Sequence, residues 1–217
     1  MQKLNSKRKY SKKQYRITET ETVDPFLNDK IKILESKSFR RLQGKAQVYC
    51  RDLNFINPNI RNRGTHTNEV IALSAKIAKN LNLNIQLTEA IAAGHDIGHV
   101  PFGHLGEIVF NEYSNKNFRH HIFSVVIAQK IERKGKGLNL TYETLKGILD
   151  HSRGSKDIII KNVMSEEGKA VMFADKIAYT LGDINDAIRM GDFKKTPKEA
   201  KLLGNNQRER EYNLIKA

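Results

Sequence analysis

Leu87-Thr88-Glu89-Ala90-Ile91-Ala92-Ala93-Gly94-His95-Asp96-Ile97-Gly98-His99-Val100-Pro101-Phe102-Gly103-His104-Leu105-Gly106-Glu107 carries most of the information in this chain. Its first seven residues are rich in alanine with Leu87 and Ile91 among them, which predicts a helix, and Gly94 and Gly98 predict that the helix ends near His95-Asp96. The remainder sets an adjacent His-Asp pair, two further histidines and a carboxylate close together in the chain. Imidazole and carboxylate are the usual ligands of divalent metals, and the same groups supply general acids and bases near neutral pH. The density of such groups points to a catalytic metal centre at a helix-to-loop junction.

Beyond the junction, the glycines and Pro101 argue against a regular helix from 97 to 106, and residues 107–113 are expected to begin another. Upstream, Val70, Ile71, Ser74, Ile77, Ala78 and Leu81 recur at helical spacing and predict an amphipathic helix over 67–81, with His66 at its beginning. Downstream, Ile122, Phe123, Val126, Ile127 and Ile131 mark a third helix after His120 and His121. A fourth covers 140–151, set apart by Gly135 and Gly137.

A long helix over 167–190 carries Val171, Ala174, Ile177, Ala178, Leu181, Ile184 and Ile188 on one broad face. Asp175, Tyr179, Asp183 and Asp186 follow at spacings of four, four and three residues, which aligns them on a neighbouring stripe. Burying an unpaired carboxylate costs several kcal/mol, so Asp175 should be paired, bound to a metal or turned to solvent. The short apolar runs at 48–50 and 158–160 are too brief to build a sheet. The expected fold is all-α, a helical bundle in which helices packed around a common centre can bring His66, His95, Asp96 and Asp175 together as metal ligands, with ordinary capping and surface residues as the alternative.

Composition sets the outer bounds. With 217 residues, 39% of them hydrophobic, the chain can bury one sizeable core, and residues 21–217 are expected to form one domain. Its one cysteine, Cys50, excludes an intrachain disulfide, and no charge-free apolar run approaches the roughly 20 residues that span a bilayer. A cytoplasmic protein with no membrane partner is expected. The net charge of +14 implies attraction to polyanions, whether nucleic acid, nucleotide phosphates or an anionic membrane surface. Part of that charge lies in a basic N-terminal arm over 1–20, which reads as solvated chain or as a nucleic-acid contact.

His66, then His95-Asp96, then Asp175 resemble the H…HD…D signature of the HD superfamily of metal-dependent phosphohydrolases. The chain is more specifically similar to the deoxynucleotide triphosphohydrolase, dGTPase-like branch. The resemblance is carried by Arg40-Arg41-Leu42-Gln43-Gly44-Lys45 with Gln47-Val48, by Arg63-Gly64-Thr65-His66, by His95 through Glu107, by Phe118-Arg119-His120, by Gly137 through Thr141, and by Ala174-Asp175-Lys176-Ile177-Ala178-Tyr179. These segments run in family order from 36 to 191. The HDxGHxPFGHxGE form is their most specific element.

The resemblance implies that His66, His95, Asp96 and Asp175 hold a divalent ion, with manganese, magnesium, iron and zinc as candidates. It makes His104 and Glu107 a catalytic pair, with Glu107 orienting the His104 ring from one turn along, and it sets His99 and His120 near the phosphates. Arg63 and Lys176 fall at triphosphate-binding positions, and Gln47, Tyr179 and Asp183 at positions that contact the deoxyribose. The implied reaction is hydrolysis of dGTP or another dNTP at the α-phosphorus, giving a deoxynucleoside and triphosphate. Many relatives form homo-oligomers. Ala46, His121 and Thr180-Leu181-Gly182 depart from the family pattern, and relatives continue well beyond the last matched helix, which leaves base selectivity open. Two other readings stay in view, another HD nucleotidase or phosphodiesterase and a non-catalytic nucleotide or nucleic-acid binding module.

Overall fold

Side-chain caps mark where the helices begin. In the computed structural model, which describes residues 24–49, 59–152 and 164–216, Asp24, Ser36, Asn62, Asn84, Thr141 and Ser165 each accept a hydrogen bond from a backbone N–H of the helix that follows. Each cap satisfies a donor that the first turn would otherwise leave unpaired, typically worth ~1 kcal/mol. The helices in chain order are α1 (Pro25–Leu34), α2 (Lys37–Arg41), α3 (Arg63–Asn80), α4 (Ile85–Gly94), α5 (Gly103–Ser114), α6 (His120–Val126), α7 (Tyr142–Asp150), α8 (Glu166–Met190), α9 (Lys198–Leu203) and α10 (Gln207–Lys216). A 3₁₀ turn, Leu42–Gly44, follows α2, and α6 runs on into a π-helical turn, Ile127–Ile131. No strand occurs among the described residues. A lone antiparallel bridge joins Ala46 to Asn62.

The core has two lobes, and α4 belongs to both. In one, Val70, Leu73 and Ile77 of α3 meet Leu87 and Ile91 of α4, Val171, Ala174 and Ala178 of α8, and Phe26 of α1. In the other, Ala93 and Ile97 pack with Ile33, Leu42, Ile127, Leu138, Leu145 and Ile148. Full burial of each large aliphatic side chain contributes about 1.5–3 kcal/mol, so the end of α4 is held by packing on several sides. His95-Asp96 sits at that end.

Glycine lets α4 and α7 approach closely. A Cβ on Gly94 would lie 2.3 Å from Cδ1 of Ile148, and one on Gly147 would lie 2.2 Å from Cδ1 of Ile91. The two contacts are reciprocal, each glycine receiving an isoleucine from the other helix. Further ties are polar: buried Asp29 of α1 accepts from the N–H and hydroxyl of Thr141, and Glu132 accepts from the N–H of Ser38 at the start of α2.

The structure departs from the sequence expectation in three places. Residues 97–106 are not loop throughout, because Phe102 and Gly103 take left-handed φ values of 66° and 58° and α5 starts at Gly103. Gly106 therefore lies inside a helix, where a Cβ would sit 1.9 Å from the Pro101 carbonyl oxygen; it permits a close contact and does not break the helix. The third helix begins at His120, two residues early, and changes to π geometry at Ile127. Helices α1, α2, α9 and α10 have no counterpart in the sequence expectation. The basic arm over 1–20, Cys50 and the apolar run 158–160 lie outside the described residues.

Candidate active site

Three helices deliver the expected ligand set to one place. His66 lies one turn into α3, His95 caps the C-terminus of α4 with Asp96 next to it, and Asp175 projects from α8. His66 Nε2 is 2.9 Å from Asp175 Oδ1, and His95 Nε2 is 3.5 Å from Asp96 Oδ2 and 3.9 Å from Asp175 Oδ1. His66, His95 and Asp96 are buried, while the Asp175 side chain keeps 28% of its surface exposed. Asp175 is thus partnered, as the cost of burying a bare carboxylate requires.

The donors are set for a cation. His95 Nδ1 lies 2.7 Å from the Ala92 carbonyl, to which it donates, so its lone pair is on Nε2. That atom is buried and has no hydrogen-bond partner among the described residues, yet two carboxylates face it. Donor atoms of His66, His95 and Asp96 all lie within 4.8 Å of one another. Burial alone would raise the Asp96 carboxyl, but His95, His99 and Arg63 hold it well below the ordinary carboxylate range. Asp175 is lowered as well, because the His66 hydrogen bond and the charges of His66 and His95 outweigh its burial. Two imidazoles and two ionised carboxylates fit a hard or borderline divalent ion.

Arg63 opens α3 and donates from Nη1 to Asp96 Oδ2 at 2.6 Å, while its Nη2 lies 3.5 Å from the Gln47 carbonyl oxygen. Gln47 is thereby brought to the site, and its own Oε1 is buried without a partner among the described residues. His99 stacks on His120 with ring centroids 3.9 Å apart, and its Nε2 is 3.3 Å from Asp96 Oδ1. Desolvation holds the His99 ring well below its ordinary pKa. Lys45 donates from Nζ to the His99 carbonyl, and burial, reinforced by Arg41 and Arg63, pushes its pKa down to about 8.

Glu107 has a different closest partner from the one its spacing suggests. Its Oε2 lies 2.9 Å from His120 Nδ1 and 3.9 Å from His104 Nδ1, and the His104 side chain is 75% exposed. A residue one turn away on the same helix is outcompeted by one that α6 brings alongside. Burial pushes the Glu107 carboxyl up, but the His120 hydrogen bond and charge leave it below its ordinary value.

The remaining expected residues lie along α8. Tyr179 is half-buried, and burial together with the Asp175 and Asp183 charges raises its phenol. Asp183 is paired with Arg61 Nη2. Lys176 is half-buried, and no ion pair joins it to the cluster among the described residues.

Sequence reasoning missed two residues. Arg61 is buried and binds Asp183, Glu69 at 2.8 Å, Asp186 at 2.8 Å and the Ala178 carbonyl at 3.1 Å. Gly182 leaves room for it, since a Cβ there would lie 1.9 Å from Arg61 Nη1. His151 is buried at the C-terminus of α7, with its ring 5.2 Å from that of His95 and 5.6 Å from that of His120. Desolvation, with the nearby His95 and His120, pushes its pKa down to about 3. The signal for His151 was its place three residues beyond Ile148, itself three beyond Leu145, which turns it to the buried side of α7. A hollow of about 520 Å³ elsewhere, lined by Lys37, Arg40, Arg41, Arg133 and Lys134 among others, holds none of the expected site residues. No described helix is long and apolar enough to cross a membrane.

Comparison with known proteins agrees with this geometry. The family model described as HD domain matches residues 63–180. A deoxyguanosinetriphosphate triphosphohydrolase-like protein of Clostridium tetani is 46% identical over 194 residues, covering 88% of this chain and 55% of its own length. One of the same description from Clostridium perfringens is 45% identical over the same shares, and one from Caldanaerobacter subterraneus is 48% identical over 76% of this chain and 46% of its own length. The chain thus spans about half the length of the curated relatives it matches.

Proposed function

The chain belongs to the HD-domain family of metal-dependent phosphohydrolases, and from that membership we propose that it hydrolyses deoxynucleoside triphosphates, dGTP or other dNTPs, to deoxynucleoside and triphosphate. The observation that carries this reading is the convergence of His66, His95, Asp96 and Asp175 from three helices, with the Arg63 guanidinium bonded to one of the carboxylates. The descriptions of the relatives support the choice of substrate.

In this reading the four residues hold a divalent ion, manganese, magnesium, iron or zinc. When bound, such an ion lowers the pKa of its water and offsets charge on phosphate oxygens. Arg63 and Lys176 supply cations to the triphosphate, and the stacked His99 and His120 stand beside it. His104, open to solvent at the start of α5, donates a proton to the departing 5′ oxygen. Glu107 holds His120 in place, and its charge favours protonated His104 against the burial and the His120 and Arg63 charges that lower the His104 pKa. Gln47, Tyr179 and Asp183 orient the nucleoside, the Tyr179 ring filling the space that a 2′-hydroxyl would need. The protein is taken to be cytoplasmic and homo-oligomeric, and its basic charge leaves it able to bind nucleic acid as well.

Chromatography of the products from each dNTP, with manganese present, tests the proposal. The expected products are deoxynucleoside and triphosphate in equal amounts. Orthophosphate without triphosphate would instead indicate another HD nucleotidase. Absence of turnover with dNTP binding retained would indicate a binding module.

A further inference from the structure

Arg61 engages four of its N–H donors, and the reaction proposed above gives it no task. Nε donates to Asp186 Oδ2, Nη1 to Glu69 of α3 and to the Ala178 carbonyl of α8, and Nη2 to Asp183 Oδ1. Gly182 makes this possible, because its missing Cβ leaves the guanidinium room against α8. Bonds on three sides fix the plane of the guanidinium, as they could not fix the single-point ammonium of a lysine. A buried ion cluster is a poor source of stability, since apolar side chains of similar volume often serve as well. What it supplies is direction.

The two aspartates that Arg61 holds on α8 are not equivalent. Asp186 is closed: Oδ2 bonds to Arg61, Oδ1 bonds to Arg189 at 3.1 Å, and its side chain is 2% exposed. Asp183 is open, with only Oδ1 bonded among the described residues and 33% of its side chain exposed. One oxygen is anchored, and the other is left to accept a hydrogen bond from outside. Three carboxylates, of Glu69, Asp183 and Asp186, face the two guanidiniums of Arg61 and Arg189, so an O–H donor suits this opening and a phosphate does not. Burial raises the Asp183 carboxyl, and the Arg61 charge opposes that rise and favours the ionised, acceptor-only form.

Asp183 stands about two turns beyond Asp175 on α8, ~12 Å along the axis at 1.5 Å per residue, with Tyr179 between them. A nucleotide whose phosphates lie at Asp175 extends its sugar along this stripe. On the deoxyribose of a 5′-triphosphate the 3′-hydroxyl is the one O–H group. We propose that Arg61 is a positioning residue for nucleoside selection, fixing Asp183 so that its free oxygen accepts the 3′-hydroxyl and nucleotides lacking that group are rejected. Arg61 and Arg63, two residues apart at the entry to α3, then serve the sugar and the phosphates respectively. The inference rests on the reading that Asp183 faces the nucleoside, and it is independent of which phosphate bond is cut.

The test is whether the full chain distinguishes dGTP from 2′,3′-dideoxyGTP, with the same pair taken for each other base. Dissociation constants are measured by rapid filtration in the cold, before turnover. Wild type is expected to bind the deoxynucleotide about 10–100-fold more tightly than its dideoxy counterpart, the usual worth of a hydrogen bond to a charged group. Arg61→Lys keeps the charge and loses the fork, whereas Gly182→Ala keeps every partner and displaces the guanidinium. Each should bring the ratio close to one with dideoxy binding little changed, and that retained binding shows the variant to be folded. Asp183→Ala should also bring the ratio close to one, and adding Arg61→Lys to it should change the ratio no further. A wild-type ratio near one would overturn the inference. So would variants that weaken or lose both nucleotides equally, the behaviour of a merely structural arginine. A ratio that depends on Arg61 without release of triphosphate would leave this inference standing and remove the proposed reaction, whereas triphosphate release with a ratio indifferent to Arg61 would do the reverse.

Discussion

The two sides of the site are built differently. His66, His95 and Asp175 project from α3, α4 and α8, three helices that share one apolar lobe, and His95 and His66 are among the most deeply buried side chains in the chain. His104 and Glu107 stand on α5, of whose residues only Gly103 is buried, and which presents Leu105, Ile108, Val109, Phe110 and Tyr113 to solvent. Its ties to its surroundings run through Glu107 to His120 and through Asn111 to Phe118. The geometry of the proposed ligands is therefore set by core packing, whereas the proposed proton-donating side depends on a few polar and ring contacts. Substitutions on the first side should affect stability and metal together, and those on the second should affect turnover far more than stability.

The largest expected effect is on the packed side. Asp96→Ala removes a carboxylate that faces His95, His99 and Arg63, and activity should fall on the order of a thousandfold or more, as when one member of a cooperating catalytic set is lost. Equilibrium dialysis with Mn²⁺ should show metal lost in parallel. Retained activity would break the comparison at its root.

Next is Arg61→Met, which removes the shared partner of Asp183, Asp186 and Glu69 and leaves Asp186 with only its bond from Arg189. Breaking a buried ion pair costs about 3–5 kcal/mol, and a shift of that size is expected in urea unfolding. Gly182→Ala should act in the same direction, because its methyl group would occupy the space of the guanidinium.

On the α5 side, Glu107→Gln should lower kcat by about 10–100-fold, the usual cost of losing a partner that orients a functional histidine, with only a small loss of stability beside it. The acid limb gives a second readout. Because the folded Glu107 carboxyl lies below its ordinary value, the stability from its pairing with His120 is present above the unfolded-state pKa. It is lost as pH falls through the lower folded-state value. The Gln variant should lack that component of acid unfolding.

The smallest effect should come from Leu105→Ser, a change at a side chain that is 67% exposed, which should alter stability by less than ~0.5 kcal/mol. A loss of several kcal/mol would show that α5 is packed more firmly than its exposure indicates.

What the sequence made legible follows from the same division. Helix α8 was readable almost to its ends because its apolar residues recur on one broad face; in the structure Ser165 caps it and Gly191 ends it in left-handed geometry. The candidate metal-binding residues stood out because few residue types bind metal; His66, His95 and Asp96 lie at or near helix boundaries, while Asp175 lies well inside α8. Helix α5 began early because a left-handed Phe102 is not something composition announces. Helix α10 buries only Arg210, so it has no apolar stripe to detect. The partner of Glu107 was misjudged because spacing within one helix is visible in sequence, while the approach of α6 is a product of packing. Arg61 escaped notice for a similar reason: an arginine shows its charge in the sequence but not the three carboxylates that gather around it. Gly182, a departure from the family pattern, gained its meaning only when the Arg61 guanidinium was found against it.

The central claim is that the packed cluster directs water to the α-phosphorus of a deoxynucleoside triphosphate. The direct measurement is hydrolysis of dGTP in ¹⁸O-labelled water with manganese, followed by mass spectrometry of the products. The account predicts unlabelled deoxyguanosine, triphosphate carrying one ¹⁸O, and loss of both products in Asp96→Ala. Label in orthophosphate, or formation of deoxyguanosine monophosphate with pyrophosphate, would contradict it.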